Sequence, residues 1–511
     1  MMKTRNKNIY RALLLISFLG INAALLFGIG AVWVYMNSGA DKASILHIAS
    51  EAKDSYLPKT EWKNLENPGR PMESQTLQDI EKDYIRSWYV RSIAFDQLDP
   101  YGLEDYYTDS LYSKLSEVIQ LNKAQGTSVS LSTLNHHLSL EFYSLDGKLV
   151  VFTDTGMEWF REIRKGEQKL VSGRLTSSYR VMMLLEDGFW RVRHMEEIPN
   201  PSNDGASESS TGPASMRHVN GLNYYPAQSP WDTFGDDFDT GTLAGDFEKI
   251  SAMKLNTLRI FIPYEDFGAA SVKPEKLQKL LRLMDLADET GLKVLVTLFD
   301  FYGNYDLMDW TRTHRHAETL VGALKDHPAL LGWDIKNEPD LDFDSRGRAE
   351  VLDWLEEMIR QVKKWDKVHP VTIGWSSPTA AGHLYEHLDF VSYHYYEDPE
   401  IFEASHKELL REIGNKQVVI SEFGSSSYSG VWNFFSGSEE SQAAYYQKMV
   451  TALKGRDLPF LSWTLYDYKQ VPSKVVGRLP WRKAPQRHFG LIDKEGKEKP
   501  AFRVIASASH K

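Results

Sequence analysis

The chain of 511 residues contains no cysteine, which excludes disulfide bonds, thiolate metal sites and a cysteine nucleophile. Its 59 Lys and Arg face 70 Asp and Glu, giving a formal net charge of -11. Since no cluster of basic residues stands out in the folded part, nucleic acid and other polyanions are not expected as partners. Beyond the first 40 residues no long apolar run appears, so a pore or transporter is excluded.

One uncharged run does occur, over residues 12–36, and four basic residues precede it: Lys3, Arg5, Lys7 and Arg11. As a helix this run spans roughly 37 Å, enough for a hydrocarbon core of about 30 Å. Basic residues favour the cytoplasmic side, so residues 1–40 predict a cytoplasmic tip and a transmembrane signal anchor. The rest of the chain is expected outside a cell membrane, with a bacterial origin inferred. Ser38-Gly39-Ala40 resembles a cleavage site, so a form released from the membrane remains an alternative.

Residues 41–72 are polar and are interpreted as a juxtamembrane spacer, and residues 73–198 as a separate α+β domain. Two segments with helical spacing of apolar residues come first, and two strand pairs follow, with turns at Asp146-Gly147 and Asp187-Gly188. This layout resembles NTF2-like domains, although no motif accompanies it. The resemblance implies a spacer, a binding domain or a dimerisation domain that contacts a protein partner.

No convergent polar trio is recognised in this domain. His136 and His137 are adjacent in a predicted strand and should point to opposite faces, so a shared metal ion is not expected. Residues 199–216 are almost wholly Pro, Gly, Ser, Asn and acidic residues, which predicts a linker.

Residues 217–511 alternate eight short apolar segments with amphipathic helical patterns, which indicates a parallel sheet covered by helices. The predicted strands are 218–225, 256–262, 293–300, 331–337, 370–375, 389–394, 417–422 and 459–466. Eight such units fit an α/β TIM (β/α)8 barrel. An open doubly wound sheet is the alternative, but no G-x-G-x-x-G turn follows the first strand.

The ends of the predicted strands carry acidic side chains. In a barrel, the loops after the strands build the catalytic rim, whereas the interior is packed. Glu338 follows the fourth strand and Glu422 ends the seventh, 84 residues later. Strands three positions apart face each other across the mouth of the ring. These two carboxyls are therefore predicted to share one site.

Four strand-end motifs, "WDIKNEPD", "SYHYY", "ISEFG" and "LSWTLYDY", resemble the retaining glycoside hydrolases of the (β/α)8 clan, most of all family 5 cellulases and mannanases. The resemblance implies Glu338 as general acid and base, and Glu422 as nucleophile. It implies substrate-binding roles for Arg259 beside the nucleophile, Asn337 at the sugar 2-hydroxyl, His394 and Tyr396 in the hydrogen-bond shell, and Trp463 as the sugar platform. One departure is that Asp300 or Phe301 stands where family 5 members often have a histidine.

Two carboxyls suit glycosidic cleavage, because one donates a proton to the leaving oxygen while the other, ionised, meets the anomeric carbon. A separation of about 5 to 5.5 Å allows direct attack and retention, and the short separation is predicted here. The charge of Glu422 is expected to raise the pKa of Glu338. Neither a metal ion nor a cofactor is expected.

The sequence thus predicts a membrane-anchored extracytoplasmic retaining β-glycosidase, endo-acting on a β-linked glucan, mannan or exopolysaccharide. A transglycosylase and an inactive glycan-binding scaffold of a polysaccharide secretion complex remain alternatives. Further aromatic residues near predicted rim loops are interpreted either as sugar-stacking or as packing residues: Tyr224, Tyr225, Trp310, Trp375, Trp432, Phe435 and Trp481. The sugar, its linkage and the oligomeric state are left open.

Overall fold

The computed structural model describes residues 56–67, 70–200 and 216–508, together with residues 18, 20 and 22. The predicted anchor, apart from those three positions, and nearly all of the predicted linker lie outside the described residues. Within the described part, no helix is both long and apolar enough to cross a bilayer. The described residues form two compact units, 58–200 and 216–508, and residues 56–57 belong to the second.

The first unit contains two helices and a six-stranded sheet. The helices are α1 (Ser74–Gln97) and α2 (Asp109–Gln125). The strands are β1 (Lys59–Asn64), β2 (Thr127–Thr133), β3 (Asn135–Tyr143), β4 (Leu149–Lys165), β5 (Gln168–Glu186) and β6 (Phe189–Ile198). The sheet order is β1-β3-β4-β5-β6, and β2 pairs with the second half of β4.

The turns of this sheet follow the predicted turn chemistry. Asp187 and Gly188 form a two-residue loop between β5 and β6 with φ of 54° and 84°, the left-handed pair that matches the strand twist in a hairpin. Gly147, with φ of 71°, lies in the β3–β4 loop. The prediction of two helices followed by antiparallel hairpins is confirmed, whereas the likeness to NTF2-like domains stays a prediction.

Strand β1 was not expected, because the sequence assigns its residues to the spacer. It pairs in parallel with β3. Its side chains are mostly exposed or half-buried, so the segment lacks the apolar alternation that marks a strand with a buried face. The first strand of the described residues therefore begins inside the predicted spacer.

A buried polar trio also corrects the sequence interpretation. The Asp154 carboxylate Oδ2 accepts a hydrogen bond from the Tyr84 hydroxyl at 2.9 Å and lies 2.6 Å from His136 Nδ1. His136 Nε2 lies 2.7 Å from the Thr133 hydroxyl, and the backbone N–H of His137 donates to Asp154 Oδ1. The trio went unrecognised because its members lie on α1, β3 and β4, which come together only when the two strands pair and the helix packs against them.

The second unit is a closed barrel of eight parallel strands, which confirms the predicted (β/α)8 fold and excludes the open sheet. Its strands are β7 (Asn220–Asn223), β8 (Thr257–Pro263), β9 (Lys293–Asp300), β10 (Leu330–Asn337), β11 (Val371–Trp375), β12 (Val391–Tyr395), β13 (Val418–Phe423) and β14 (Phe460–Ser462). All eight overlap a predicted segment. The last is much shorter than predicted, since the chain leaves the barrel after Ser462.

The helices of the second unit follow its strands along the chain. They are α3 (Thr240–Ala252), α4 (Pro274–Glu289), α5 (Trp310–Leu324), α6 (Phe343–Arg346), α7 (Arg348–Trp365), α8 (Phe402–Ile413), α9 (Glu439–Lys454), α10 (Ser473–Val476), α11 (Pro480–Gln486) and α12 (Pro500–Ala506). As predicted, Pro274 opens α4, where its missing N–H removes no helical hydrogen bond. The apolar stripe of this helix buries Leu280 and Met284.

Candidate active site

Arg259 on β8 is fully buried and lies at the centre of a polar network. Its Nε and Nη2 donate to Asp334 Oδ2 at 2.9 and 2.6 Å. Its Nη1 donates to Glu422 and Asn223, and its Nη2 also donates to Asn337. All five N–H groups of the guanidinium are thereby used, so the group has a single fixed orientation.

Glu422 on β13 receives one donor on each carboxylate oxygen. Arg259 Nη1 lies 2.6 Å from Oε1, and the Tyr396 hydroxyl donates to Oε2 at 2.6 Å. Although Tyr396 as a whole is 40 % exposed, its hydroxyl end is enclosed; this enclosure, and then the charge of Glu422, raise the pKa of Tyr396 well above its usual value. Tyr396 therefore stays protonated and donates, and the two contacts together fix the orientation of the Glu422 carboxyl.

Glu338 follows β10 with φ of 46° and ψ of 50°, a left-handed conformation that is uncommon outside glycine. Its backbone N–H donates to the Gly374 carbonyl at 2.7 Å, which holds the turn. One oxygen lies 2.8 Å from His394 Nδ1 on β12. One ligand atom each from Glu338, His394 and Glu422 lie within 4.8 Å of one another, so the two predicted carboxyls do share one site.

The expected rise in the pKa of Glu338 is not found. Burial, the largest influence, raises this pKa, but the hydrogen bond and charge of His394 lower it, and so do the charges of Arg259 and Lys336. The net result is a pKa below the usual value. The sequence could not reveal this, because it does not show that His394 lies in contact with Glu338.

Asn337 and Gly374 surround the same guanidinium. Asn337 Oδ1 accepts from Arg259 at 2.9 Å, which leaves its Nδ2 hydrogens available to a ligand. A Cβ atom on Gly374 would lie 2.5 Å from Arg259 Nη2, closer than non-bonded atoms can approach. Glycine is therefore required beside the guanidinium, and this contact could not be predicted, because it joins β8 and β11.

A cavity of about 580 Å³ lies over these groups at the carboxyl ends of the strands. Six side chains relevant to the chemistry or to stacking line it: Tyr225, Trp231, Glu338, Tyr396, Glu422 and Trp463. The Trp463 ring packs against the rings of Tyr225, Trp231 and Phe261 at centroid distances of 6.0 to 6.2 Å. This packing holds the indole rigidly at the cavity wall.

Asp300 and Phe301 lie where family 5 members often have a histidine, and Asp300 is the more buried of the two. It ends β9 and is 5 % exposed, whereas Phe301 is 38 % exposed, and both residues line the cavity. The Tyr225 hydroxyl donates to Asp300 at 3.5 Å. Burial raises the pKa of Asp300 to about 6, against the opposing charges of Lys336, Arg259 and Lys474. Asp300 is thus a third carboxyl of the site.

Residues 219–469 match the family model described as Cellulase (glycosyl hydrolase family 5). The match spans the strands that carry Arg259, Glu338, His394 and Glu422. The barrel is a glycoside hydrolase domain.

Several known proteins are similar to this chain. A mannan endo-1,4-beta-mannosidase 3 of Arabidopsis thaliana is 27 % identical over 236 residues, covering 37 % of this chain and 54 % of that protein. A beta-glucuronidase of Chlorocebus aethiops is 22 % identical, covering 79 % and 64 %. This chain spans about half the length of the mannosidases it matches.

Among solved structures, an exo-beta-1,4-mannosidase, Op5Man5, from Opitutaceae bacterium strain TAV5 is 17 % identical, with a TM-score of 0.47. It covers 58 % of this chain, which in turn covers 62 % of it. A GH5_18 protein from Streptomyces cattleya is 18 % identical with a TM-score of 0.46, covering 59 % and 80 %.

In the glycoside hydrolase domain, the aromatic residues that were predicted to stack on sugars or to pack fall into three groups by position and burial. Tyr225 lines the cavity. Tyr224, Trp310 and Trp375 are buried packing residues, at 2 % exposure or less. The remaining three lie exposed on the loops after β13 and β14: Trp432, Phe435 and Trp481. Trp231, Lys336 and Lys474 also line the cavity and were missed: Trp231 and Lys474 belong to no strand-end motif, and Lys336 was given no role within "WDIKNEPD".

Glu338, His394 and Glu422 also have the composition of a metal site. In this hydrolase domain, however, both oxygens of Glu422 already accept from Arg259 and Tyr396. A guanidinium in contact with the carboxylate repels a second cation, so the set fits a sugar better than a metal ion.

Proposed function

We propose that the protein is a membrane-anchored extracytoplasmic retaining β-glycosidase, endo-acting on a β-linked polysaccharide. The observation that carries the proposal is the pair of carboxyls of Glu338 and Glu422, which lie within 4.8 Å of each other at the cavity wall. This separation supports direct attack on the sugar, because inversion needs a gap of roughly 6.5 to 9.5 Å for a water molecule.

In the first step, a Glu422 oxygen bonds to the anomeric carbon as the glycosidic bond breaks, and Glu338 gives a proton to the leaving oxygen. Arg259 and the Tyr396 hydroxyl hold the Glu422 carboxyl in position for this attack. In the second step, Glu338 removes a proton from water, whose oxygen takes the anomeric carbon from Glu422. The sugar leaves with its original configuration, and both carboxyls return to their starting states.

His394 supports Glu338 in both steps. Its Nδ1 lies 2.8 Å from a Glu338 oxygen, so the Glu338–His394 pair keeps in place the carboxyl that gives the proton to the leaving oxygen. When the covalent bond removes the charge of Glu422, the pair is left with Arg259 and Lys336 nearby. Glu338 then favours the ionised form that a general base requires.

The substrate class rests on similarity. The matched family is named for cellulase and the similar curated proteins include mannan endo-1,4-beta-mannosidases, which supports a β-linked glucan or mannan backbone. Trp463 would lie under the ring at the cleavage point, and Asn337 Nδ2 would donate to the sugar 2-hydroxyl. The basic residues and long uncharged run before residue 40 support the membrane anchor.

The test is sugar release from a panel of β-glucans, mannans and xylans. The full chain in detergent is expected to shorten one of these polymers, with the product keeping the β configuration by NMR at early times. Glu422→Ala is expected to release no sugar, since it removes the nucleophile.

Equal release by the two proteins, or an inverted product, would overturn the proposal. The anchor is tested separately by cell fractionation, in which the full chain should sediment with membranes and residues 41–511 should not.

A further inference from the structure

The chain is acidic overall, yet one stretch beside the cleft is strongly basic. Residues 469–488, here called the basic segment, contain no Asp or Glu and six Lys or Arg: Lys469, Lys474, Arg478, Arg482, Lys483 and Arg487. Among the described residues only Lys474 has an acidic partner, Asp266 at 3.2 Å. The segment therefore presents largely uncompensated positive charge. It was overlooked in the sequence, where no basic cluster was recognised.

The basic segment is continuous with the catalytic cavity. Lys474, Val475, Val476 and Gln486 of this segment line the cavity together with the two glutamates. The Lys474 ammonium lies 4.5 Å from the centre of the Phe301 ring, directly after β9. A polymer that runs through the cleft therefore passes along the basic segment as it leaves.

Exposed aromatic rings lie beside the same segment. Trp432 and Trp481 are 49 % and 48 % exposed, and their ring centroids are 5.7 Å apart. Phe434 and Phe435 of the loop after β13 are 93 % and 67 % exposed. We call these four residues the aromatic ridge. Monomeric proteins seldom leave large rings grouped in water without a binding role, and flat rings suit the apolar faces of sugars.

The cleavage point itself carries more carboxyls than cations. Glu338, Glu422, Asp300 and Asp342 line the cavity there, whereas the nearby cations are Lys336, which pairs with Asp342, and the buried Arg259, which pairs with Glu422. A negatively charged sugar at that point would meet these carboxyls at short range, where repulsion is strong. Acidic groups on a substrate are therefore tolerated only on sugars further along the chain, where the basic segment lies.

We propose that the basic segment and the aromatic ridge extend the cleft and bind a polyanionic β-glycan, whose acidic substituents lie on sugars flanking the one that is cleaved. The inference rests on the proposed glycosidase function and adds the substrate class. A membrane surface is the competing occupant, because basic and aromatic residues also bind anionic lipids. Continuity with the catalytic cavity favours the glycan.

The probes are carboxymethylcellulose and hydroxyethylcellulose, which share a β-1,4-glucan backbone and differ in the charge of their substituents. Binding of the full chain in detergent is measured by affinity electrophoresis, in a Glu422→Ala background so that cleavage does not interfere. Carboxymethylcellulose is expected to retard the protein more strongly at low salt. This preference should fade as salt rises, since the Debye length falls to about 3 Å at 1 M.

Arg478→Gln with Arg482→Gln is expected to weaken carboxymethylcellulose binding by about tenfold and to leave hydroxyethylcellulose binding within twofold. The matched control is Lys325→Gln with Lys367→Gln, which removes the same charge from exposed lysines that precede β10 and β11 at the other end of the barrel. This control should keep its carboxymethylcellulose affinity. Trp432→Ala with Trp481→Ala should weaken binding of both polymers, at high salt as well.

Equal affinity for the two polymers, or equal losses in the arginine and lysine pairs, would overturn the inference. So would an arginine pair that loses binding to phosphatidylglycerol vesicles but keeps carboxymethylcellulose, because the occupant would then be a membrane. If carboxymethylcellulose binds as expected while no β-glycan of the panel is cleaved, the glycosidase proposal fails and the binding site stands. If a β-glycan is cleaved but carboxymethylcellulose binds no better than hydroxyethylcellulose, the binding inference fails and the glycosidase proposal stands.

Discussion

Each unit of this protein holds a tyrosine, a histidine and a carboxylate in contact, but only one set faces a cavity. Tyr84, His136 and Asp154 are fully buried, and both histidine nitrogens have partners. In the barrel, Tyr396 and Glu422 line the cleft, whereas His394 is buried beside Glu422 and its Nε2 has no hydrogen-bond partner within the described residues. The same side chains thus serve stability where they are enclosed and satisfied, and chemistry where a ligand can reach them.

Apart from Glu422→Ala, the largest effect is expected from Glu338→Ala, which removes the carboxyl that His394 contacts at the cleft. Without a proton donor, cleavage of an unactivated β-glycan should fall by about 10² to 10⁴-fold. An aryl β-glycoside with a good leaving group needs no proton and should still give a rapid first phase. Burst kinetics with both substrates checks this. Equal losses on the two substrates would remove the acid role from Glu338.

The next largest effect concerns Arg259. Arg259→Gln leaves the buried carboxylates of Asp334 and Glu422 without their cation and should lower the free energy of unfolding by about 3 to 5 kcal/mol. Denaturant titration of the chain measures the loss. Arg282→Gln is the control, since Arg282 pairs at the surface with Glu289, where such pairs contribute about 0 to 1 kcal/mol. Similar small losses in both variants would contradict the assigned network.

The enclosed set is tested by Asp154→Ala. It leaves the Tyr84 hydroxyl and a His136 nitrogen unpaired, which should destabilise the first unit by about 1 to 3 kcal/mol. Glycosidase kinetics at a temperature where the variant stays folded should be unchanged. A fall in kcat on a small aryl glycoside would show that the enclosed set is more than structural.

The smallest effect is a shift along the pH axis, from His394→Asn. The hydrogen bond and charge of His394 hold the pKa of Glu338 low, so their loss should raise it, while burial and Glu422 remain. A general acid must be protonated, and the fall of kcat/KM at high pH should therefore move to higher pH. His327→Asn, which alters a distant histidine near Asp285, should leave the profile unmoved. A shift to lower pH would contradict the contact.

Features that depend on local sequence could be predicted, whereas features that depend on contacts between distant segments could not. Eight strands and the placement of Glu338 and Glu422 followed from local patterning, because a barrel strand is a short apolar run and its end is the rim. The contact of His394 with Glu338, the trio around Asp154 and the strand β1 depend on pairing between distant segments. The basic segment could have been identified from the sequence, but it was overlooked because the chain as a whole is acidic.

Gly374 affects the position of the Arg259 guanidinium, although it has no side chain that could bond to it. Adding one methyl group there would push against the guanidinium that orients Glu422, although β11 and the barrel could persist. We therefore expect Gly374→Ala to yield a folded protein with poor turnover. A redesign of this cleft for a different polymer should therefore keep Gly374 and vary the outer loops instead.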